Sequence, residues 1–231
     1  MESFGQPSRG EKQALLFGVV SVLLLCAAAF LIPSPPGSEG GSPANNPAWL
    51  AQHGTAVMIQ AYLRGLAAAA ELVFAVGLVT YLRRAQSVTD VLSTLALVGG
   101  IGHAVMLVVS TLFTAAAASA AGSTSADIIR TLGNLSDKTL DMESFLLVAL
   151  FAGASLALLR TKATPRWIAW LGLLVAVVAV VEPFELINSS LEFLGLPALL
   201  LELVWFLAVS ISLAARGSAQ GATIEARVPA A

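Results

Sequence analysis

Six long apolar stretches alternate with shorter polar intervals along the chain. Each has close to, or more than, the roughly 20 apolar residues that a helix needs to cross the hydrocarbon core of a bilayer. The pattern therefore predicts an all-α fold, a polytopic membrane protein with a six-helix transmembrane bundle over residues 14–215. The predicted spans are about 14–32, 55–82, 90–116, 141–159, 167–184 and 196–215.

The polar intervals divide the rest of the chain. Residues 1–13 are predicted to be a cytoplasmic N-terminal segment, and 216–231 a disordered cytoplasmic tail. The first apolar run, 14–32, exceeds the 7–15 residues of a signal-peptide core, which favours a retained spanning helix. Residues 33–47 contain five prolines and are expected to form an irregular external loop.

The polar interval 117–140 has a helical pattern of its own. Apolar residues recur there at helical spacing, at Ile128, Ile129, Leu132 and Leu135. We therefore expect one short amphipathic helix on the membrane surface, with a disordered loop as the alternative.

Composition supports a membrane location. The chain of 231 residues is 57% hydrophobic and only 11% charged, against about 25% charged in soluble domains. Its mean hydropathy is +0.85. The net charge of -2 gives no indication of nucleic-acid binding. The hydrophobic composition makes the lipid bilayer the expected surroundings. The single cysteine, Cys26, excludes an internal disulfide.

The distribution of Lys and Arg predicts the orientation. With six spans, nine of the twelve basic residues lie on the side of the termini and two, Arg130 and Lys138, lie on the other; Arg64 is within a span. Positive residues accumulate on the cytoplasmic side. We therefore expect a multi-pass protein of the cell inner (plasma) membrane with both termini in the cytoplasm.

The second span carries polar residues that a lipid-facing helix would not tolerate. Gln60, Arg64 and Glu71 occur at i, i+4 and i+11, which places them on one helical face. A charge at mid-bilayer costs at least about 2.5 kcal/mol, so this face should contact protein or trapped water. Arg64 is expected to pair with Glu202 or, failing that, with Glu182.

Other ionisable residues occur at matching depths of other spans, in the middle and the outer half. Together with the polar face of the second span they predict one shared cavity that opens outward. The candidate cavity residues are Gln60, Arg64, Glu71, His103, Glu143, Glu182 and Glu202. His103 follows Gly99, Gly100 and Gly102, which favour close helix packing.

Three interpretations of these residues remain open. They form a structural network of paired charges, they line a site for a small solute or a proton, or His103 and carboxylates bind a metal. The ligand spacings typical of metal sites are absent, and so are hydrolase and phosphate-binding motifs. We therefore predict no enzymatic activity, no metal and no cofactor. The alternatives for function are a small-solute or proton-coupled transporter and a non-enzymatic scaffold or regulatory partner.

The sixth span and the segment at the start of the fifth resemble parts of a known protein family. Residues 197–217, PALLLELVWFLAVSISLAARG, resemble the last helix of a widespread bacterial family of six-helix membrane proteins that is catalogued as a domain of unknown function. The preceding TPRWIAWLGLL, residues 164–174, fits the basic turn of that family before its fifth helix. The chain departs from the family pattern at 115–145, where it is rich in Ala and Ser. The resemblance implies a polytopic helical fold and no specific activity.

Overall fold

A computed structural model of the chain describes residues 7–30, 46–86, 91–186 and 195–225, and these residues contain no strand. Six helices follow the order of the six apolar stretches, each long and apolar enough to cross a membrane. The predicted all-α transmembrane bundle is thus confirmed. The helices are α1 (Arg9–Phe30), α2 (Pro47–Gln86), α3 (Val91–Ala120), α4 (Ala126–Thr161), α5 (Arg166–Val181) and α6 (Gly195–Glu225), with a 3₁₀ helix at Glu182–Leu186.

The six helices form a closed ring. Each packs against the next along the chain, and α1 also packs against α6. Helix α2 additionally contacts α4 across the bundle. Large apolar side chains such as Leu23, Tyr62 and Trp170 remain more than half exposed, which suits a surface that faces lipid.

Local sequence signals fix the starts of α1 and α2. Ser8 and Glu11 form a reciprocal capping box: the Glu11 amide donates to Ser8 Oγ and the Ser8 amide donates to Glu11 Oε2. Asn46 Oδ1 accepts from the Trp49 amide, and Pro47 occupies the first helical position. The cap explains why α2 begins eight residues before the predicted start.

The segment expected to form a short surface helix is instead continuous with the fourth span. Helix α4 runs for 36 residues and α2 for 40, about 54 and 60 Å at 1.5 Å per residue, well beyond the hydrocarbon thickness of ~30 Å. Ile129 is buried in a small apolar cluster with Leu50, Val57 and Ala117, from α2 and α3. This packing covers Ile129 and part of Leu132, whereas Ile128 and Leu135 stay exposed.

Other predicted boundaries differ by less. Helix α5 ends at Val181, and Pro183 lies in the 3₁₀ helix that follows, as expected for a residue that stops a helix. Residues 216–225, expected to be disordered, continue α6. The predicted external loop at 33–47 lies almost entirely outside the described residues, as do 226–231.

Glycines allow α3 and α4 to approach each other closely. A Cβ added at Gly99 would overlap the backbone of α4, and one added at Gly153 would lie 2.7 Å from the Ala96 nitrogen of α3. Neither position can hold a larger residue without separating the helices. The packing interpretation of Gly99 is confirmed, and this close approach brings His103 towards α4.

Basic residues gather at the end of the bundle where α1 starts and α2 ends. The guanidinium of Arg84 lies 2.8 Å from Glu11 Oε2, which joins the two helices. Arg83 donates to Ser93 and Thr94 at the start of α3. Arg130, by contrast, lies near the start of α4, at the opposite end. We call these the basic end and the opposite end.

Candidate functional site: carboxylates around a buried histidine

His103 lies on α3 and is only 3% exposed. Its Nε2 is 3.0 Å from Glu71 Oε2 on α2 and 3.7 Å from Glu202 Oε1 on α6. Its Nδ1 is 3.5 Å from Glu143 Oε1 on α4. One imidazole therefore contacts carboxylates from three other helices. We call these four residues the His103 cluster.

Serine hydroxyls support carboxylates in and beside the cluster. Ser21 on α1 donates to Glu71 Oε1 at 3.0 Å, and both side chains are buried. Ser144 on α4 donates to Glu182 Oε2 at 2.9 Å, at the start of the 3₁₀ helix. Every helix of the ring except α5 thus either carries a residue of the His103 cluster or, in the case of α1, donates a hydrogen bond to one of its carboxylates.

Several polar atoms of the cluster retain hydrogen-bonding capacity. Within the described part of the chain, Glu71 Oε2, His103 Nδ1 and Glu143 Oε2 are buried and have no hydrogen-bond partner. The contacts of the imidazole are thus close charge pairs without the alignment of hydrogen bonds. A buried polar group without a partner is costly, so these atoms indicate a place where a further donor or acceptor would be stabilised.

A cavity of about 600 Å³ reaches the cluster from the opposite end of the bundle. Two cluster residues, Glu143 and Glu202, line it, and the apolar part of its wall includes Leu147 and Val175. Its volume is in the range of sites for small molecules. Its charged lining comprises five carboxylates and one ammonium group: Asp137, Asp141, Glu143, Glu182, Glu202 and Lys138.

Aromatic side chains close the bundle on the side of the cluster that faces the basic end. Phe74 and Trp205 each follow a cluster carboxylate by three residues on their helices, about 4.5 Å along the axis. Phe151 packs edge-on against Trp205 with ring centroids 4.7 Å apart, and Phe206 lies 5.1 Å from Phe74. All four rings are buried. We call them the aromatic floor, because the acidic cavity opens on the other side.

The structure separates two of the predicted cavity residues from the cluster. Gln60 donates to the Ala28 carbonyl of α1 and lies eleven residues before Glu71, about 16 Å along α2. Arg64 is half-buried, and the carboxylates whose charges act on it are Glu143 and Asp137. Glu202 has His103, not Arg64, within 4.0 Å, so the expected pairing of Arg64 with Glu202 is wrong.

The remaining predicted residues come together. Glu71, His103, Glu143 and Glu202 are in contact, and Glu182 lines the same cavity as Glu143 and Glu202. Sequence reasoning missed Ser21 and Ser144, because one serine in an apolar helix carries no signal of its own. Asp137 was missed because its segment, 117–140, was placed on the membrane surface, and Asp141 because it stands at the first position of the predicted fourth span rather than inside it.

Among the described residues, no group of three or more His, Cys, Asp or Glu side chains is arranged to hold a metal ion. The metal interpretation therefore gains no support from the geometry of these residues.

Comparison with known proteins places the chain in a family. A family model described as a domain of unknown function, DUF4386, matches residues 14–207. The chain belongs to this family. The match covers the first five spans and the part of α6 that carries Glu202 and Trp205, so the whole His103 cluster lies within the DUF4386 domain. None of the curated proteins and none of the solved structures matches the chain.

Proposed function

We propose that this DUF4386 protein transports a small organic cation and exchanges it for protons bound at the His103 cluster. The observation that carries the proposal is the cavity lined by five carboxylates and one lysine, because two of these carboxylates, Glu143 and Glu202, contact buried His103. Such a lining attracts cations and repels anions. Its apolar wall suits the hydrocarbon part of an amine or a quaternary ammonium ion.

In this proposal the His103 cluster couples the binding of the cation to the release of protons. The three carboxylates each lie 3.0–3.7 Å from a His103 nitrogen, so a cation bound by one of these groups changes the electrostatic energy of the others. A proton and an organic cation compete for the same carboxylate oxygens. Entry of the cation therefore displaces protons, and the affinity for the cation rises with pH.

The position of the cluster fits alternating access. His103 lies twelve residues from the start of α3, about 18 Å along a span that crosses a core of ~30 Å. Transporters commonly bind their substrates near the bilayer midplane. The aromatic floor separates the cluster from the basic end, so the cation proceeds only when α2, α4 and α6 rearrange around it.

The proposed orientation in the membrane is inferred from the distribution of the basic residues. The basic end, with both the start of α1 and the end of α6, faces the cytoplasm, and the acidic cavity opens outside. We place the protein in the plasma membrane on this argument. In this scheme the protein binds and exchanges ions and catalyses no covalent reaction.

A structural role for the cluster is the competing proposal. The hydrogen bond from Ser21 to Glu71 favours it, because a supported carboxylate beside a histidine also stabilises a bundle without any substrate. The two proposals differ in what happens when Glu202 loses its charge. Under the transport proposal cation exchange then stops, whereas a purely structural cluster supports no exchange and the change alters only the stability of the bundle.

Exchange in proteoliposomes tests the transport proposal. The purified full-length chain is reconstituted with an acidic lumen, and a pH-sensitive dye reports the gradient while tetraethylammonium, benzyltrimethylammonium or ethidium is added outside. Quaternary cations are suitable because they cannot cross lipid as neutral amines. We expect at least one of them to dissipate the gradient with the wild type and to have no such effect with Glu202→Gln.

Asp127→Asn is the matched control. The Asp127 side chain is 92% exposed and lies outside the cavity, so this variant should exchange at the wild-type rate. If none of the three cations dissipates the gradient, or if Glu202→Gln exchanges as fast as the wild type, the transport proposal fails.

A further inference from the structure

A second cavity lies at the basic end, on the outer surface of the bundle. This groove of about 410 Å³ runs between α1 and α2. Its α2 side extends from Thr80 to Leu72, about 12 Å into the membrane, and its wall is almost entirely apolar. Val73 and Val76 are 40% and 50% exposed, so the groove opens to lipid.

A buried carboxylate closes one end of the groove. Glu11 lines it, and its side chain is only 6% exposed. Oε2 of this carboxylate forms an ion pair with Arg84 and accepts a hydrogen bond from the Ser8 amide. Oε1 is buried and has no partner among the described residues. The groove therefore combines an apolar wall with a carboxylate, one oxygen of which is buried without a hydrogen-bond partner.

Two further basic residues lie close to Glu11 in the chain, at the start of the same helix. Arg9 and Lys12 flank Glu11 in the first turn of α1, and Arg9 is exposed. A molecule that satisfies both signs of charge needs a phosphate for the basic residues and an ammonium group with N–H donors for Glu11. It also needs a hydrocarbon chain for the groove.

We propose that the groove binds an aminophospholipid of the phosphatidylethanolamine type. Its ammonium group donates to Glu11 Oε1, its phosphate lies beside Arg9 and Lys12, and part of one acyl chain fills the groove along Val73, Val76 and Gly77. A choline headgroup has no N–H to donate, and a glycerol headgroup has no positive charge. The site thus distinguishes lipids by headgroup chemistry, independently of the His103 cluster.

Native mass spectrometry of the full-length chain in detergent tests the site. Phosphatidylethanolamine, phosphatidylcholine and phosphatidylglycerol with identical acyl chains are added separately, and the dissociation constant of the first bound lipid is measured. A charge-assisted hydrogen bond is worth roughly 1.5–3 kcal/mol, so phosphatidylethanolamine should bind about ten-fold or more tightly than phosphatidylcholine. Glu11→Gln should reduce the two affinities to near equality.

Two further variants separate the lipid site from the neighbouring ion pair. Arg84→Gln removes the ion pair but leaves Glu11 in place, so the preference for phosphatidylethanolamine should persist. Gly10→Leu projects a side chain at the mouth of the groove, where an added Cβ meets nothing within 4 Å, and should weaken binding of phosphatidylethanolamine to the level of phosphatidylcholine.

The proposal is overturned if the wild type binds phosphatidylethanolamine and phosphatidylcholine equally. It is also overturned if phosphatidylglycerol binds most tightly, since the basic residues alone would then select the lipid. An unchanged preference in Glu11→Gln overturns it as well. All of these results are independent of cation exchange, so the lipid site and the transport proposal stand or fall separately.

Discussion

At the scale of single residues, the distribution of charge around His103 decides what the bundle can do. One imidazole faces three carboxylates in a site that is nearly free of solvent. Charge interactions are strong in such surroundings, and so is the penalty for an unpaired charge. His103 is therefore the residue whose replacement should lower the free energy of unfolding most.

Replacing His103 by Ala should strongly destabilise the protein. The change removes the imidazole that Glu71 and two further carboxylates contact, and breaking a buried pair typically costs about 3–5 kcal/mol of unfolding free energy. Adding Glu71→Gln should recover part of the loss. Thermal unfolding in detergent measures both effects, and an unchanged midpoint for the single variant would show that the cluster is not a set of coupled charges.

Ser21→Ala should have a smaller but distinct effect. The change removes the hydroxyl that donates to buried Glu71 Oε1 at 3.0 Å, and an unsatisfied buried acceptor costs about 1–3 kcal/mol. Ser119→Ala is the control, because Ser119 is exposed and bonds only to the Ala116 carbonyl one turn earlier. Equal thermal midpoints for the two variants would contradict the role of Ser21.

The sequence predicts the composition of the site better than its pairing. Charged and polar residues inside apolar stretches are costly, which is enough to single out Glu71, His103 and Glu202. Which of them meet depends on the rotation of each helix, and the sequence does not determine that rotation. The sequence therefore suggested Arg64 as the cation of the cluster, while packing at Gly99 and Gly100 places His103 there instead.

At the scale of elements, the existence of each helix follows from its apolar length, and its ends follow from caps and packing. Helix α2 starts at the Asn46 cap, and α4 extends beyond the membrane because Ile129 packs against α2 and α3. A membrane-surface helix was expected because the segment is polar on one side. Ile129 on its apolar side is covered by α2 and α3, and no pattern within the segment reveals that contact.

Glycine contacts provide the prediction at this scale. Gly99→Ala should disrupt the bundle, because the added Cβ would overlap the α4 backbone, which cannot rotate away. Gly65→Ala should be neutral or stabilise the protein by up to about 1 kcal/mol, since an added Cβ there meets nothing within 4 Å and alanine favours helix. Folded yield and thermal midpoint in detergent compare the two. A Gly99→Ala variant as stable as Gly65→Ala would refute the close approach of α3 and α4.

At the scale of the whole molecule, the ring of helices has two unlike ends. One carries the Glu11–Arg84 pair and the other the mouth of the acidic cavity. An aromatic floor separates them. The transport proposal rests on the acidic cavity on one side of this floor, since unlike ends by themselves are common to multi-pass membrane proteins.

The orientation of this ring can be measured with reporter fusions. Fusions at Ser42 and at residue 218 should lie on opposite sides of the membrane, with residue 218 in the cytoplasm, because basic residues are retained on that side. Alkaline phosphatase should be active only at Ser42, and a fluorescent protein only at 218. Activity of the same reporter at both sites would contradict the six-span topology.

Proton release on cation binding tests the central claim most directly. Lightly buffered protein in detergent is mixed with tetraethylammonium, benzyltrimethylammonium or ethidium, and the released protons are counted with a pH indicator. At least one cation should release protons saturably from the wild type and from Asp127→Asn, but not from Glu202→Gln. Release by none of the three cations, or equal release by Glu202→Gln, would contradict exchange of protons for a cation at the His103 cluster.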